Sequence, residues 1–282
     1  MTKKLFLVLS LIFVSFGFLG WRLTSAVPRI IGVPPAELHA LDVSISLPNQ
    51  NYVSGWYLQG VEGHGAVLLL HGVRSNRLQM LGRAQFLNRL GYAVLLMDLP
   101  SHGKSTGSRI TFGVRESLGV DASLKWLKET TGNEKIGVIG VSLGAASFVL
   151  SKSTGIPDAV VLESMYPTIS NAISDRLMIR LGSWGRIFTP LFIFQLPFWT
   201  GVTSHDLCPE GRLSEVHCPI MIVSGSKDNH TTLAETMRLY EKASDPKTIW
   251  IVEGASHVDL YSFNPEVYES KIASFFEKYL RR

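Results

Sequence analysis

The stretch Lys135-Ile-Gly-Val-Ile-Gly-Val-Ser-Leu-Gly-Ala-Ala carries an apolar run that stops at Gly140-Val-Ser142-Leu-Gly144 and continues in small residues. A serine between two glycines at this spacing fits a sharp strand-to-helix turn, because the missing side chains let neighbouring backbone pass close by. Such a turn lifts the Ser142 hydroxyl clear of the strand. It also sets the backbone N–H of Leu143 at a helix N-terminus, where a donor can face an oxygen that is gaining negative charge. The short pattern alone is also met in inert Gly/Ser turns, so the rest of the chain has to decide between a nucleophile and a bend.

The flanking rhythm is that of strands alternating with helices. Two alternating segments, Leu41 to Leu47 and Tyr52 to Gln59, are separated by Pro48-Asn49-Gln50-Asn51 and predict an antiparallel hairpin. A continuous apolar run at 66–70 then suits a strand covered on both faces, and further strands are expected at 93–97, 136–139, 159–162, 219–223 and 248–252. Helical spacing lies between them at 78–90, 116–130 and 231–243, and a closing amphipathic helix is expected over 265–280. The fold class this predicts is α/β, a mostly parallel eight-stranded sheet with helices on both faces. The rhythm breaks from about 165 to 208. There, Tyr166 to Trp199 holds seven aromatics in 34 positions, about twice the chain's 10%. Helical runs are expected around 169–181 and 186–195, interrupted by prolines 190 and 197, which together read as an inserted helical cap.

The first thirty residues differ from the rest. Two lysines precede Leu5 to Trp21, seventeen residues without a charge, and Arg22 follows. At 1.5 Å per residue this helix would be about 26 Å long, just short of a hydrocarbon core. A retained single-pass anchor with an extracytoplasmic body is the preferred expectation, with Trp21 and Arg22 at the interface. A signal segment cleaved near Thr24-Ser25-Ala26, leaving a secreted or periplasmic protein, is the alternative. A Pro-containing linker, Val27 to Pro35, would then lead into the body at 31–282. Lys3, Lys4, Arg22 and Arg29 account for the whole formal charge of +4, so the body offers no charge argument for nucleic acid. Cys208 and Cys218 form no metal pattern and fit either buried thiols or a disulfide.

Two loops after late strands carry the groups that Ser142 would need. Ser224-Gly-Ser-Lys-Asp228 follows one strand and Gly254-Ala-Ser-His257 the next, and loops after the carboxyl ends of parallel strands converge on one edge of a sheet. A serine hydroxyl is a weak nucleophile unless a base takes its proton, which His257 can do while Asp228 fixes the imidazole's tautomer. The oxyanion would need two donors: Leu143 N–H, and Val73 N–H from the His71-Gly72-Val73 loop. Asp206 is a weaker candidate acid, Asp259 lies too near His257 in the chain to orient it easily, and His230 reads as a solvated loop residue.

On these residues the sequence resembles the α/β-hydrolase superfamily, and within it small bacterial serine hydrolases with a short helical cap. The resemblance covers roughly 41–280. It rests on Leu70-His71-Gly72 with Asn76-Arg77, on Asp98-Leu-Pro-Ser-His102-Gly103-Lys-Ser105-Thr-Gly107, on the Ser142 turn, and on the Asp228 and His257 loops. It implies a Ser142, Asp228, His257 triad with Val73 and Leu143 as oxyanion donors, His102 as a structural residue, and no cofactor or metal. The acid loop, Asp228-Asn-His-Thr-Thr, lacks the proline often found there. The expected activity is hydrolysis of a small-molecule acyl ester through an acyl-enzyme. Thioester, peptide and acyl-transfer chemistry would use the same groups, and a catalytically silent, membrane-tethered binding module is the reading from another class.

Overall fold

The computed structural model describes residues 2–132 and 134–281, with the side chains of residues 2–5 and 7–13 outside that description. Its centre is a sheet of eight strands: β1 (Leu41–Ser46), β2 (Tyr52–Leu58), β3 (Ala66–Leu70), β4 (Ala93–Met97), β5 (Ile136–Val141), β6 (Ala159–Glu163), β7 (Ile220–Gly225) and β8 (Lys247–Val252). Their spatial order is β8-β7-β6-β5-β3-β4-β2-β1. The six from β3 to β8 run parallel, while β1 pairs antiparallel with β2 and β2 antiparallel with β4.

The all-apolar strands are buried throughout because both faces are covered. Along β3, Leu68 and Leu70 join a core with Val120, Leu124 and Phe148, supplied by helices α3 (Val114–Thr130) and α4 (Leu143–Val149). Val67 and Leu69 face the other way, onto Phe86, Leu87 and Phe276 from α2 (Leu81–Arg89) and α9 (Pro265–Leu280). The alternation along one strand thus divides a single sheet between two cores. Two further helices, α7 (Leu233–Lys242) and the short α8 (Leu260–Phe263), follow β7 and β8.

Between β6 and β7 stand the helices of the insertion, α5 (Ile169–Leu181) and α6 (Thr189–Thr200), joined by a 3₁₀ segment, Gly182–Phe188. Thr168 caps α5, its hydroxyl accepting from Asn171 N at 3.1 Å. Prolines 190 and 197 do not divide this region as expected. Pro190 sits in the first turn of α6, where no N–H is needed, and Pro197 lies within the last turn before Gly201.

The N-terminal segment, α1 (Thr2–Thr24), is helical. Among the described residues no helix is long and apolar enough to cross a membrane, and eight of the seventeen side chains of the expected anchor, Leu5 to Trp21, lie outside that set. The stretch after it is not the free linker expected. Val27 and Pro28 pair in parallel with His102 and Gly103, and Ile31 is buried, so the segment is tied to the loop after β4. Apolar side chains at 27 and 31 supplied this docking, which a reading based on prolines overlooks. Both cysteines are free, and burial pushes the Cys218 thiol up to about 12.

Candidate active site

Ser142 follows β5 directly and precedes α4, with φ 50° and ψ −105°. A non-glycine residue in the left-handed region is strained, and such strain is held only where the surroundings fix it. Here the Ser142 N–H donates to Glu163 O at 2.7 Å, and Ser142 O accepts from Ala146 N at 3.0 Å. The helix that follows also passes very close to β3. A Cβ on Gly144 would stand 2.4 Å from Leu70 O, so only glycine allows this crossing.

The acid and histidine loops are stitched to each other before their side chains meet. Ser226 N donates to Val252 O at 3.0 Å, Lys227 N to Ala255 O at 2.8 Å, and Gly254 N to Ser226 Oγ at 2.8 Å. At Gly225 a Cβ would fall 2.2 Å from Ala255 O, so this glycine permits the approach. Across the joined loops Asp228 Oδ2 accepts from His257 Nδ1 at 2.8 Å. Asp228 Oδ1 accepts from the N–H groups of His230 and Thr231 at 2.8 and 2.9 Å. Burial alone would raise this carboxyl. The hydrogen bond and charge of His257, with the two backbone donors, outweigh that and hold it below the ordinary carboxylate value. Asp228 is thus an anion committed to one side of the imidazole.

Among the described residues the Ser142 hydroxyl makes no hydrogen bond, and the backbone N–H groups of Val73 and Leu143 donate to no protein acceptor. Ser142 is only 4% exposed. Leu143 is buried and directly follows the strained serine, whereas Val73, in the loop after β3, is half-buried. Two neutral histidines shape the loop that bears Val73. His102 Nε2 accepts from Arg74 N at 3.1 Å while its Nδ1 bonds Pro100 O. His71 Nε2 accepts from Leu99 N at 3.0 Å, and burial, helped by His102, lowers its pKa to about 3. The Asn76-Arg77 and Asp98 motifs meet just below, where Asp98 accepts from Arg77 Nη2 at 2.8 Å and from Arg77 N at 2.7 Å.

The remaining candidates fall elsewhere. Asp206 closes an exposed turn on Thr203. Asp259 pairs with Arg83 at 2.6 Å. His230 is not the solvated loop residue expected: its ring lies 4.8 Å from that of His257, and burial and the His257 charge lower its pKa. Asp228, His230 and His257 bring ligand-type atoms within 4.8 Å of one another, although Asp228 already accepts N–H donors on both oxygens.

Sequence reasoning missed the buried network that holds the strand beside the turn. Glu163, at the end of β6, accepts from Arg83 Nη2 at 2.6 Å and Nε at 3.2 Å, and the Tyr268 hydroxyl donates to the same carboxylate. An acid ending the run Ala-Val-Val-Leu-Glu163 was the available signal, since a buried carboxylate requires partners.

The cap also carries a strained carboxyl. Asp175 on α5 is buried, its Oδ2 has no hydrogen-bond donor, and it faces Glu235 at the start of α7, with Arg176 and Arg186 also acting on it. Burial, reinforced by Glu235, raises Asp175 to about 7. A raised carboxyl binds its proton more tightly in the folded state. Its contribution is therefore fully present below about pH 4 and is lost as pH rises through about 7. Asp175→Asn keeps the neutral form at every pH. We expect the variant's advantage in urea denaturation to grow by about 1–4 kcal/mol from acid to mildly alkaline pH, with no such growth if the pair is unstrained.

Residues 67–270 match the model of the alpha/beta hydrolase family. The uncharacterised protein YqkD of Bacillus subtilis is 25% identical over 231 residues, covering 80% of this chain and 75% of its own. An uncharacterised protein of Mycobacterium tuberculosis is 26% identical over 250 residues, covering 87% and 79%. Among solved structures, an esterase of Pyrococcus furiosus superposes with a TM-score of 0.75 at 26% identity, covering 91% of this chain and 98% of its own.

Proposed function

This chain belongs to the alpha/beta hydrolase family, and we propose that it is a serine ester hydrolase acting through an acyl-enzyme. The observation that carries the reading is the His257–Asp228 hydrogen bond, formed by loops after adjacent parallel strands of the same sheet in which β5 ends at the strained Ser142 turn. In this reading Ser142 Oγ attacks the ester carbonyl carbon as His257 Nε2 takes its proton. Asp228 keeps the other ring nitrogen protonated and stabilises the imidazolium that forms. The carbonyl oxygen becomes an oxyanion, for which the backbone N–H groups of Val73 and Leu143 are the donors in this reading. As the tetrahedral intermediate collapses, the C–O bond to the alcohol breaks and His257 returns the proton to the leaving oxygen. Water, deprotonated by His257, then cleaves the Ser142 acyl ester and releases the acid.

The esterase among the similar structures favours esters over peptides or thioesters as the substrate. We also propose that α1 tethers the protein to a membrane, on the charge-free run Leu5 to Trp21 between lysines and Arg22. The catalytic reading is tested with short-chain p-nitrophenyl esters. It expects a burst of p-nitrophenol stoichiometric with enzyme, followed by a slower steady rate that EDTA leaves unchanged. Loss of turnover on chelation, with recovery on adding a divalent metal, would replace the covalent mechanism with a metal-dependent one.

A further inference from the structure

Helix α6 contains no charged residue, and its apolar side chains point all round its axis. Leu196 is buried in the core of the body and Phe192 is buried as well, whereas Phe194 and Phe198 are 64% and 70% exposed, with ring centroids 5.3 Å apart. Just before them, Trp184 is 76% and Ile187 63% exposed. A helix apolar on every side is stable only when every side is covered. Exposed apolar residues are ordinary when scattered, but a concentration of this kind marks a contact surface.

The neighbouring helix indicates what covers it. Phe16 of α1 stacks on Phe188 and meets Phe192 edge-on, at 5.6 and 5.4 Å between centroids. One turn on, Gly20 lies against Gln195 and Trp199, and the Arg109 guanidinium sits over both Trp21 and Trp199. From Phe16 onward, α1 therefore runs along α6, and it exposes Phe18, Leu19, Trp21 and Leu23 beside the cap.

Length then decides how a membrane would meet this pair. The 23 residues of α1 extend about 34 Å, and the part ahead of Phe16 only about 21 Å. A hydrocarbon core is about 30 Å thick, so the part of α1 ahead of Phe16 is too short to cross it alone. Any crossing must include the turns docked on α6, which carries Phe194 and Phe198 to the lipid as well. Charge agrees. The first thirty residues hold four cations and no acid, and the exposed charges of the cap from Ile169 to Thr203 are Arg180 and Arg186, its other two, Asp175 and Arg176, being turned towards Glu235 of the body. Such a surface suits anionic headgroups, and its exposed Trp21 and Trp184 are of the residue type enriched at membrane interfaces.

We propose that the outer face of the cap, with the docked part of α1, is seated in the surface of an anionic bilayer, so that acyl esters reach Ser142 from the membrane. The substrate class rests on the ester-hydrolase reading, and the lipid contact is measured independently of it. The test uses the full chain and vesicles of phosphatidylglycerol mixed with chain-brominated phosphatidylcholine. Trp184 emission is isolated as the difference between the native chain and Trp184→Phe. Lipid seating predicts strong quenching of that difference signal, and a severalfold loss of quenching in Phe194→Ser/Phe198→Ser. That double variant should still hydrolyse a water-soluble short-chain ester at the native rate, which also shows that it is folded, while losing severalfold activity on a long-chain ester held in the vesicles. A chain that floats with the vesicles while Trp184 stays unquenched overturns the proposal and leaves the tether intact. Sedimentation as a dimer without lipid, broken by Phe194→Ser/Phe198→Ser, overturns it in favour of a second copy of the chain. Absence of any ester hydrolysis, with quenching intact, would instead count against the catalytic reading alone.

Discussion

His257→Ala is expected to lower kcat for a soluble ester on the order of 10⁵- to 10⁶-fold, the largest activity effect foreseen for any single side chain. Without the imidazole, Ser142 has no group to take its proton, and the leaving alcohol has none to protonate it. Asp228→Asn should cost less, about 10⁴-fold, because the ring remains but its tautomer and orientation are no longer imposed. KM should move little in both, since the acid–histidine pair lies behind the reacting atoms and contributes no uniform binding. Equal losses in kcat and kcat/KM are therefore the signature sought in steady-state kinetics. A drop of less than about a hundredfold for His257→Ala would show that some other group serves as base.

Arg83→Met is expected to be the most destabilising substitution, at about 3–5 kcal/mol, because it strips a buried carboxylate of its partner. Glu163 and Arg83 are almost wholly inaccessible, and the guanidinium also reaches Tyr268 and Asp259, so three distant segments of the chain lose their common centre. Against a typical total of about 5–15 kcal/mol this is a large fraction. The effect should reach the site too. Glu163 O holds the Ser142 N–H, and Asp259 follows His257 by two residues. Adding Glu163→Gln removes the orphaned charge, and the double variant should regain part of the loss in urea denaturation. A cost below about 1 kcal/mol for Arg83→Met would mean that solvent reaches Glu163 and that the network is not structural.

The eight strands and the turn at Ser142 were legible because each is a local pattern. An apolar run of four to six residues bounded by glycine or a polar loop has few other ways to be buried, and Leu70-His71-Gly72 and Gly140-Val-Ser142-Leu-Gly144 mark where two such runs end. The pairing of Asp228 with His257 followed from topology, since adjacent parallel strands deliver their following loops to one edge. Contacts without a period were not legible. Val27 and Pro28 join His102 and Gly103 through only two residues, too few to show alternation. Arg83, Glu163, Asp259 and Tyr268 are scattered over most of the chain, and nothing local distinguishes a buried arginine from a solvated one. His230 was misjudged for a related reason: its neighbours are polar, yet the turn on Asp228 that its own N–H completes folds its ring onto His257. The cap helices could be seen as apolar, but their docking on α1 could not, because it depends on where two segments more than 150 residues apart come to lie.

The central claim, that Ser142 is a nucleophile activated by His257, is tested most directly by a fluorophosphonate, which phosphonylates an activated serine and then stays bound. Intact-mass measurement of the treated full chain should show one adduct, and peptide mapping should place it on Ser142. Ser142→Ala and His257→Ala should take no label under the same conditions. A folded native chain that gains no mass, or one whose adduct persists in Ser142→Ala, would contradict the account.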